Sequence, residues 1–130
     1  MRVLILEDDD IIRDYFVMLV KSVPGVSQVE ATSSGEEAIS LAISFAPDLV
    51  LLDYELSGQR FNGFEIGEKI LTNQTGIYLL LITGFPPEYF SNQPLKPHGF
   101  IVKPIIKEKF KALVESFVEL VGQKGQCPDF

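Results

Sequence analysis

Four acidic residues stand side by side near the start of the chain, directly after a short apolar run. The stretch LILEDDDII, residues 4–12, contains Glu7, Asp8, Asp9 and Asp10. Two like charges about 4 Å apart repel by roughly 1 kcal/mol in water and by several times more near a protein surface. Solvent, the N-terminus of a helix or a bound cation must therefore offset the repulsion at this point of the chain.

Three further residues able to take part in chemistry follow other apolar runs. Asp53 follows DLVLL, Thr83 follows IYLLLI, and Lys103 follows FIV. Taken singly, each residue also suits a purely structural role: Asp53 as a loop or cap residue, Thr83 as a strand residue before a turn, and Lys103 as a surface lysine. Their common position after an apolar run favours one shared site. Clustered carboxylates suit Mg²⁺, and phosphoryl transfer to such a carboxylate needs the neutralised oxygens that a metal, an ammonium and a hydroxyl supply.

Short apolar runs alternate with helical patterns along the chain. Strands are predicted at 3–6, 29–32, 48–52, 77–82 and 100–102, and helices at 9–22, 35–45, 63–72 and 105–121. Several of the strand runs are apolar throughout, which is typical of parallel strands covered on both faces. The alternation predicts an α/β fold with a parallel sheet between two layers of helices. In such folds ligands bind at the carboxyl ends of the strands, where the candidate residues lie.

Two stretches depart from this alternation. Residues 57–63, SGQRFNG, read as a polar loop. Residues 84–99 contain four prolines, at positions 86, 87, 94 and 97. Proline is poorly tolerated inside a helix, so a fourth helix in this stretch is predicted to be short, displaced or absent. We expect one domain over 1–122, followed by a flexible tail over 123–130.

The composition of the 130-residue chain argues against several functional classes. Its net charge is −7 and no basic stripe is present, which argues against direct binding of nucleic acid. One histidine and one cysteine do not form a zinc site of the usual ligand set. No apolar run approaches the roughly 20 residues that span a membrane, and the early acids interrupt any signal-peptide pattern. With a single cysteine no internal disulfide can form, so a cytoplasmic location is expected.

The motifs VLILEDD, DLVLLD, LLITG and GFIVKP together resemble the receiver domain of bacterial response regulators, the phosphorylated partners of two-component signalling. The resemblance extends over nearly the whole chain. It implies a five-stranded, doubly wound parallel sheet in the flavodoxin-like order 2-1-3-4-5. It also implies five helices, of which the fourth is expected to be short or irregular here.

The resemblance assigns a metal site to the acidic residues. Glu7 and Asp8 match the acidic pair that binds Mg²⁺, with Asp8 as the direct ligand and Glu7 acting through water. Asp53 and the backbone carbonyl of Glu55 would complete the protein's share of the ligands. Asp9 and Asp10 have no matching role and are interpreted as charges at the start of a helix.

The same resemblance assigns the remaining site residues and the partners. Asp53 matches the phosphoacceptor, Lys103 the phosphate-binding lysine, Thr83 the switch hydroxyl and Phe100 the switch aromatic. The phosphoryl group would come from a sensor histidine kinase or a phosphotransfer protein. Phosphorylation would then change the face formed by 84–110 for a downstream protein partner. The chain would be a switch that phosphorylates and dephosphorylates itself rather than a turnover enzyme, and a homodimer is left open.

The sequence departs from the family pattern in two places besides the proline-rich segment. Ser57 stands where family members usually carry a proline, and the loop before Asn62 is about two residues longer than usual. Both changes lie close to Asp53 in the chain. They bear on access of the phosphodonor and on contact with a kinase, and leave the acceptor itself in place.

Three alternative functions remain open at this stage. A phosphatase of the haloacid-dehalogenase type shares an acid-x-acid signature with DYELS, but its nucleophile belongs on the first strand. A flavin-binding module shares the sheet topology, but the acids at 7–10 would repel the flavin phosphate. A pseudo-receiver, folded but never phosphorylated, is disfavoured because the site positions are intact. Turnover of a phosphomonoester, or the lack of any phosphoryl adduct, would discriminate among these alternatives.

Overall fold

The computed structural model describes residues 1–125, and side chains up to residue 123. A five-stranded parallel sheet in the order β2-β1-β3-β4-β5 forms its centre. The strands are β1 Arg2–Leu6, β2 Gln28–Thr32, β3 Leu49–Asp53, β4 Tyr78–Thr83 and β5 Gly99–Val102. The α/β class, the parallel sheet and the strand order are thus confirmed.

Four α-helices connect and flank the strands. They are α1 Asp10–Lys21, α2 Gly35–Ser44, α3 Gly63–Asn73 and α4 Lys107–Gly125. Side-chain caps fix three of the helix starts: Asp9 caps α1, Ser34 caps α2, and Asn62 forms a capping box with Glu65 at α3. Because a cap satisfies N–H groups that otherwise lack partners, these polar residues determine where each helix begins.

Apolar side chains alternate between the two faces of the sheet and build two cores. One core joins strand residues such as Ile5 and Leu51 to Phe16 of α1 and Phe110 of α4. The other joins residues such as Leu4 and Leu52 to the helices α2 and α3. Every residue of β3 is buried, and the apolar composition of residues 49–52 follows from having no solvent-facing side.

The prediction of five helices is wrong. The described residues contain four α-helices, and a single turn of 3₁₀ helix, Pro87–Phe90, stands where the fourth was expected. Pro86 and Pro87 start this turn, and Pro94 and Pro97 cannot donate the backbone hydrogen bonds that would extend it into an α-helix. The prediction that this element would be short is therefore confirmed, since only one 3₁₀ turn remains.

The last helix differs from its predicted range. It begins at Lys107 rather than at residue 105. It continues to Gly125, three residues past the expected domain boundary at 122. Residues 126–130 of the predicted tail lie outside the described part of the chain, so the tail stays a prediction. Within residues 1–125, no helix combines the length and the apolar character needed to cross a membrane.

Candidate functional site

The parallel register brings the ends of four strands to one edge of the sheet. Leu6 pairs with Leu52, Asp53 pairs with Ile82, and Thr83 pairs with Val102. The residues that follow β1, β3, β4 and β5 therefore meet at this edge. All the site residues predicted from the sequence, apart from Phe100, lie at it or in the loops that leave it.

Three carboxylates form the centre of this edge. Glu7, Asp8 and Asp53 each place one oxygen so that all three oxygens lie within 4.8 Å of one another. Glu7 is 1% exposed and Asp53 is 2% exposed, so solvent does little to screen the repulsion between their carboxylates. The acids that follow β1 and the acid that ends β3 are thus brought together as predicted.

Glu7 is the most constrained of the three carboxyl groups. Its Oε2 accepts a hydrogen bond from the backbone N–H of Asp9 at 3.1 Å, but Oε1 is buried and no donor of the described residues reaches it. Burial, reinforced by the neighbouring carboxyls of Asp53 and Asp8, raises the pKa of the Glu7 carboxyl to about 8. Without a cation, Glu7 is therefore mainly protonated at neutral pH.

This donor set fits a hard divalent cation. All three ligands are carboxylate oxygens, and the buried Oε1 of Glu7 lacks the positive partner that a metal would provide. Mg²⁺ is commonly bound by one or two carboxylates while it keeps several waters. The residues present could hold Mg²⁺, and the same cation would relieve the repulsion between the clustered acids.

Asp8 is held by a contact that sequence reasoning missed. The backbone N–H of Ser57 donates to Asp8 Oδ2 at 2.8 Å across the mouth of the site. Burial alone would raise the pKa of Asp8, but the adjacent Glu7 carboxyl, the Ser57 N–H and the charge of Lys103 together outweigh it and lower the pKa. The available signal was the absence of proline at position 57, because a proline has no N–H to donate.

Asp53 is held by two donors on the same oxygen. Its Oδ1 accepts from Lys103 Nζ at 3.3 Å and from the backbone N–H of Glu55 at 3.2 Å. The Lys103 side chain is 31% exposed and reaches inward to a carboxylate that is almost fully buried. The structure thus places Lys103 and Glu55 beside Asp53, whereas a metal-binding role for the Glu55 carbonyl stays a prediction.

Thr83 and Phe100 lie on the β4 and β5 side of the site. Thr83 is fully buried, and its hydroxyl oxygen accepts the backbone N–H of Phe85 at 3.1 Å. Phe100 is half-buried within β5 and stacks on Phe90 of the 3₁₀ helix, with ring centroids 5.7 Å apart. Phe100 pairs with Leu81 rather than with a strand end, so it lies below the carboxylate cluster.

The other two acids of the opening stretch serve α1, as predicted. Asp9 is the N-cap, and its Oδ1 accepts from the backbone N–H groups of Ile11 and Ile12 at 3.0 and 2.9 Å. Asp10 pairs with Arg13 at 2.6 Å on the helix surface. The run of four acids therefore divides into two residues at the site and two at the helix start.

The longer loop before α3 is tied to the neighbouring helix. The side chain of Gln59 donates to Ser33 O at 2.7 Å, and its Oε1 accepts the N–H of Gly35 at 2.8 Å. Gln59 thus supplies one of the hydrogen bonds that the start of α2 requires. Sequence reasoning described this loop only as polar, because nothing local indicates which element a glutamine amide will reach.

Comparison with known proteins identifies the family. The sequence matches the family model described as response regulator receiver domain over residues 3–115. The sensory transduction protein LytT of Enterococcus faecalis (strain ATCC 700802 / V583) is 28% identical over 123 residues, which cover 95% of this chain and 50% of LytT. The response regulator GacA of Pseudomonas aeruginosa is 29% identical over 130 residues, covering 98% of this chain and 58% of GacA. The chain spans about half the length of the curated relatives it matches.

Solved structures show the same fold. A two component transcriptional regulator AraC from Clostridium phytofermentans ISDg has a TM-score of 0.83 at 21% identity, covering 98% of this chain and 99% of that one. The anti-anti-sigma factor PhyR from Bartonella quintana has a TM-score of 0.78 at 25% identity, covering 96% of this chain and 50% of PhyR. With the family match and the acidic site at the sheet edge, the chain belongs to the response regulator receiver domain family, whose known role is to accept a phosphoryl group in two-component signalling.

Proposed function

We propose that Asp53 accepts the phosphoryl group, from the phosphohistidine of a sensor histidine kinase or of a phosphotransfer protein. The observation that carries the proposal is that the buried Asp53 carboxylate both belongs to the three-carboxylate cluster and pairs with Lys103. In the transfer, an Asp53 oxygen forms the new bond to phosphorus while the phosphorus–nitrogen bond breaks. The electron pair of the broken bond leaves with the imidazole.

The neighbouring residues position and neutralise the transferred group in this proposal. Lys103, whose ammonium lies 3.3 Å from Asp53 Oδ1, neutralises one phosphoryl oxygen, and the Thr83 hydroxyl donates to another. Asp8, Asp53 and the Glu55 carbonyl would hold Mg²⁺ directly, and Glu7 would act through water. When bound, the metal supplies positive charge against the phosphoryl oxygens.

Phosphorylation then alters the face formed by residues 84–110. The support is that Thr83 Oγ1 accepts the Phe85 N–H, so a reorientation of the hydroxyl toward a phosphoryl oxygen acts first on Phe85. From there the ring contacts of Phe90 with Phe100 connect the 3₁₀ helix to β5. This face binds the downstream protein partner or a second copy, and slow hydrolysis of the aspartyl phosphate resets the switch without turnover of a separate substrate.

Intact mass measurement after incubation with a small phosphodonor tests the proposal. With Mg²⁺ present, the wild type should gain one acid-stable, base-labile phosphoryl group, and Asp53→Asn should gain none because it lacks the nucleophile. The same adduct should shift backbone amide NMR signals across 84–110. A charge-matched surface variant, Glu115→Gln, should be phosphorylated like the wild type.

The absence of any adduct on the folded wild type would favour the pseudo-receiver. An adduct of unchanged yield on Asp53→Asn would place the acceptor elsewhere. An adduct on Asp53 with unchanged signals across 84–110 would leave the chemistry in place and remove the proposed output face.

A further inference from the structure

An open cavity of about 570 Å³ lies beside the phosphorylation site, between α3 and the 3₁₀ helix. Its volume is within the range of small-molecule binding sites. Aromatic rings, carboxylates and side-chain amides line it, and no lysine or arginine of the described chain does. The 3₁₀ turn Pro87–Phe90, which stands in place of the fourth helix, contributes Tyr89 and Phe90 to the cavity lining.

Three of the lining rings stand at steep angles to one another. The planes of Tyr54, Tyr89 and Phe90 meet pairwise at 72°, 79° and 77°, with ring centroids 5.0 to 6.5 Å apart. Phe90 is buried between two other rings, so it forms the floor. Tyr89 is 56% exposed and is stacked on one face by Phe85, at 4.3 Å, which fixes the ring and leaves its other face without a stacked partner in the described chain.

Two carboxylates of α3 complete the wall opposite the rings. Glu65 uses one oxygen, Oε1, to accept the backbone N–H of Asn62 in the capping box. The Glu68 carboxylate makes no hydrogen bond or ion pair with any described residue. The cavity is thus negative as well as aromatic.

The three cations nearest in the chain are already engaged elsewhere, and one of them, Lys96, donates from Nζ to Ser91 O at 2.6 Å. Arg60 and Lys69 both lie over the ring of Phe61, at 5.1 and 4.5 Å from its centroid, outside this cavity. Arg60 and Lys69 thus each make a cation–π contact with Phe61. The chain therefore offers an aromatic and acidic cavity and supplies no cation of its own to fill it.

We propose that this cavity binds the guanidinium group of an arginine side chain or of a small arginine-like molecule. A guanidinium stacks on an aromatic face and donates to a carboxylate in the same plane, so Tyr89 and Glu68 provide complementary contacts. The Tyr54 hydroxyl and the amide oxygens around the rim accept its remaining donors. The cavity is separate from the carboxylate cluster but shares Tyr89 and Phe90 with the face that phosphorylation is proposed to change, so the inference applies to the unphosphorylated chain.

An NMR titration with selectively labelled tyrosine rings tests the proposal. The chain has four tyrosines, of which Tyr54 and Tyr89 line the cavity and Tyr15 and Tyr78 do not. The probe is N-acetyl-arginine amide, and its neutral isostere N-acetyl-citrulline amide is the control. We expect saturable shifts of Tyr54 and Tyr89 alone, with a Kd on the order of 1 mM for the arginine probe, and no saturable shifts with the citrulline probe.

Variants distinguish binding in the cavity from nonspecific attraction of a cationic probe to an acidic protein. Glu68→Gln should weaken binding by about fivefold, because it removes the unpaired charge. Tyr89→Leu should weaken binding to a similar extent, whereas Glu119→Gln, on the exposed side of α4, should leave it unchanged. Circular dichroism verifies that each variant is folded.

Three results would overturn the proposal: no saturable shift at roughly twenty times the expected Kd, equal shifts with the citrulline probe, or equal weakening by Glu68→Gln and Glu119→Gln. The source of the guanidinium is decided by comparing free arginine with N-acetyl-Gly-Arg-Gly amide. Tighter binding of the peptide supports a protein partner that presents an arginine. Tighter binding of the free amino acid supports a small-molecule ligand.

Discussion

The backbone N–H of Ser57 joins two loops of the site through its 2.8 Å hydrogen bond to Asp8. Ser57→Pro removes this N–H, while Ser57→Ala keeps it. We expect the proline variant to bind Mg²⁺ roughly tenfold more weakly, because a ligand that loses its orienting hydrogen bond must be ordered by the metal itself. The pKa of Asp8 should also rise, since one of the donors that lowers it is gone.

Calorimetric titration with Mg²⁺ and carboxyl NMR measure these two effects. Ser57→Ala should bind Mg²⁺ like the wild type, because the hydroxyl group takes no part in the contact. A proline variant that binds Mg²⁺ as tightly as the wild type would show that the N–H does not position Asp8. A change in the alanine variant as large as that in the proline variant would assign the effect to the hydroxyl instead.

At the scale of elements, the contact of α3 with β3 positions the acceptor. Gly63 opens α3 and donates its N–H to Tyr54 O at 3.1 Å, and a Cβ at Gly63 would overlap the carbonyl oxygen of Asp53. Gly63→Ala should therefore push helix and strand apart, destabilise the fold by about 1–3 kcal/mol and slow phosphorylation of Asp53. Urea unfolding and the rate of adduct formation measure the two effects.

Gly122→Ala provides the matched control, because a Cβ there meets no atom within 4 Å. Alanine at this α4 position should leave phosphorylation unchanged and stabilise the helix slightly. If Gly63→Ala were as stable and as quickly phosphorylated as the wild type, the close approach would not constrain the acceptor.

The sequence predicted the strands well and the proline-rich segment only in part. An apolar run such as DLVLL identifies β3 because a strand covered on both faces buries the side chains on both sides of the sheet. The prolines predicted that the fourth helix would be short, displaced or absent. They could not indicate that Phe90 would enter the core between Phe64 and Phe100, since these rings come from distant parts of the chain and meet only in the folded structure.

At the scale of the whole molecule, the carboxylate cluster was predictable because parallel strands end at a common edge. The order of the chain alone therefore places Glu7, Asp8 and Asp53 together. The contacts of Ser57 and Gln59 depend on the path of a loop that carries no periodic pattern. The only signature of a backbone donor in the residue type is the absence of proline, so the sequence could not show that the Ser57 N–H would reach Asp8.

The whole fold should respond to pH through Glu7. Its pKa is about 8 in the metal-free fold, above its ordinary value of 4.5, so the folded chain binds more protons than the unfolded chain between these values. Without Mg²⁺, the free energy of unfolding should then fall as pH rises from about 5 to about 8, by at most about 1.4 kcal/mol per pH unit from this group. Mg²⁺ favours the ionised carboxylate, so it should stabilise the fold more at pH 8 than at pH 6.

Urea unfolding across this pH range, with and without Mg²⁺, measures the effect, and Glu7→Gln isolates it. The glutamine side chain is neutral at every pH and has nearly the same shape, so the metal-free variant should lose the part of the pH slope that Glu7 contributes. It should also lose much of the stabilisation by Mg²⁺, because one of the three clustered oxygens no longer carries charge. Parallel pH curves for the wild type and Glu7→Gln would mean that the buried carboxyl keeps its ordinary pKa, and that the acidic cluster is less crowded in solution than its 4.8 Å spacing implies.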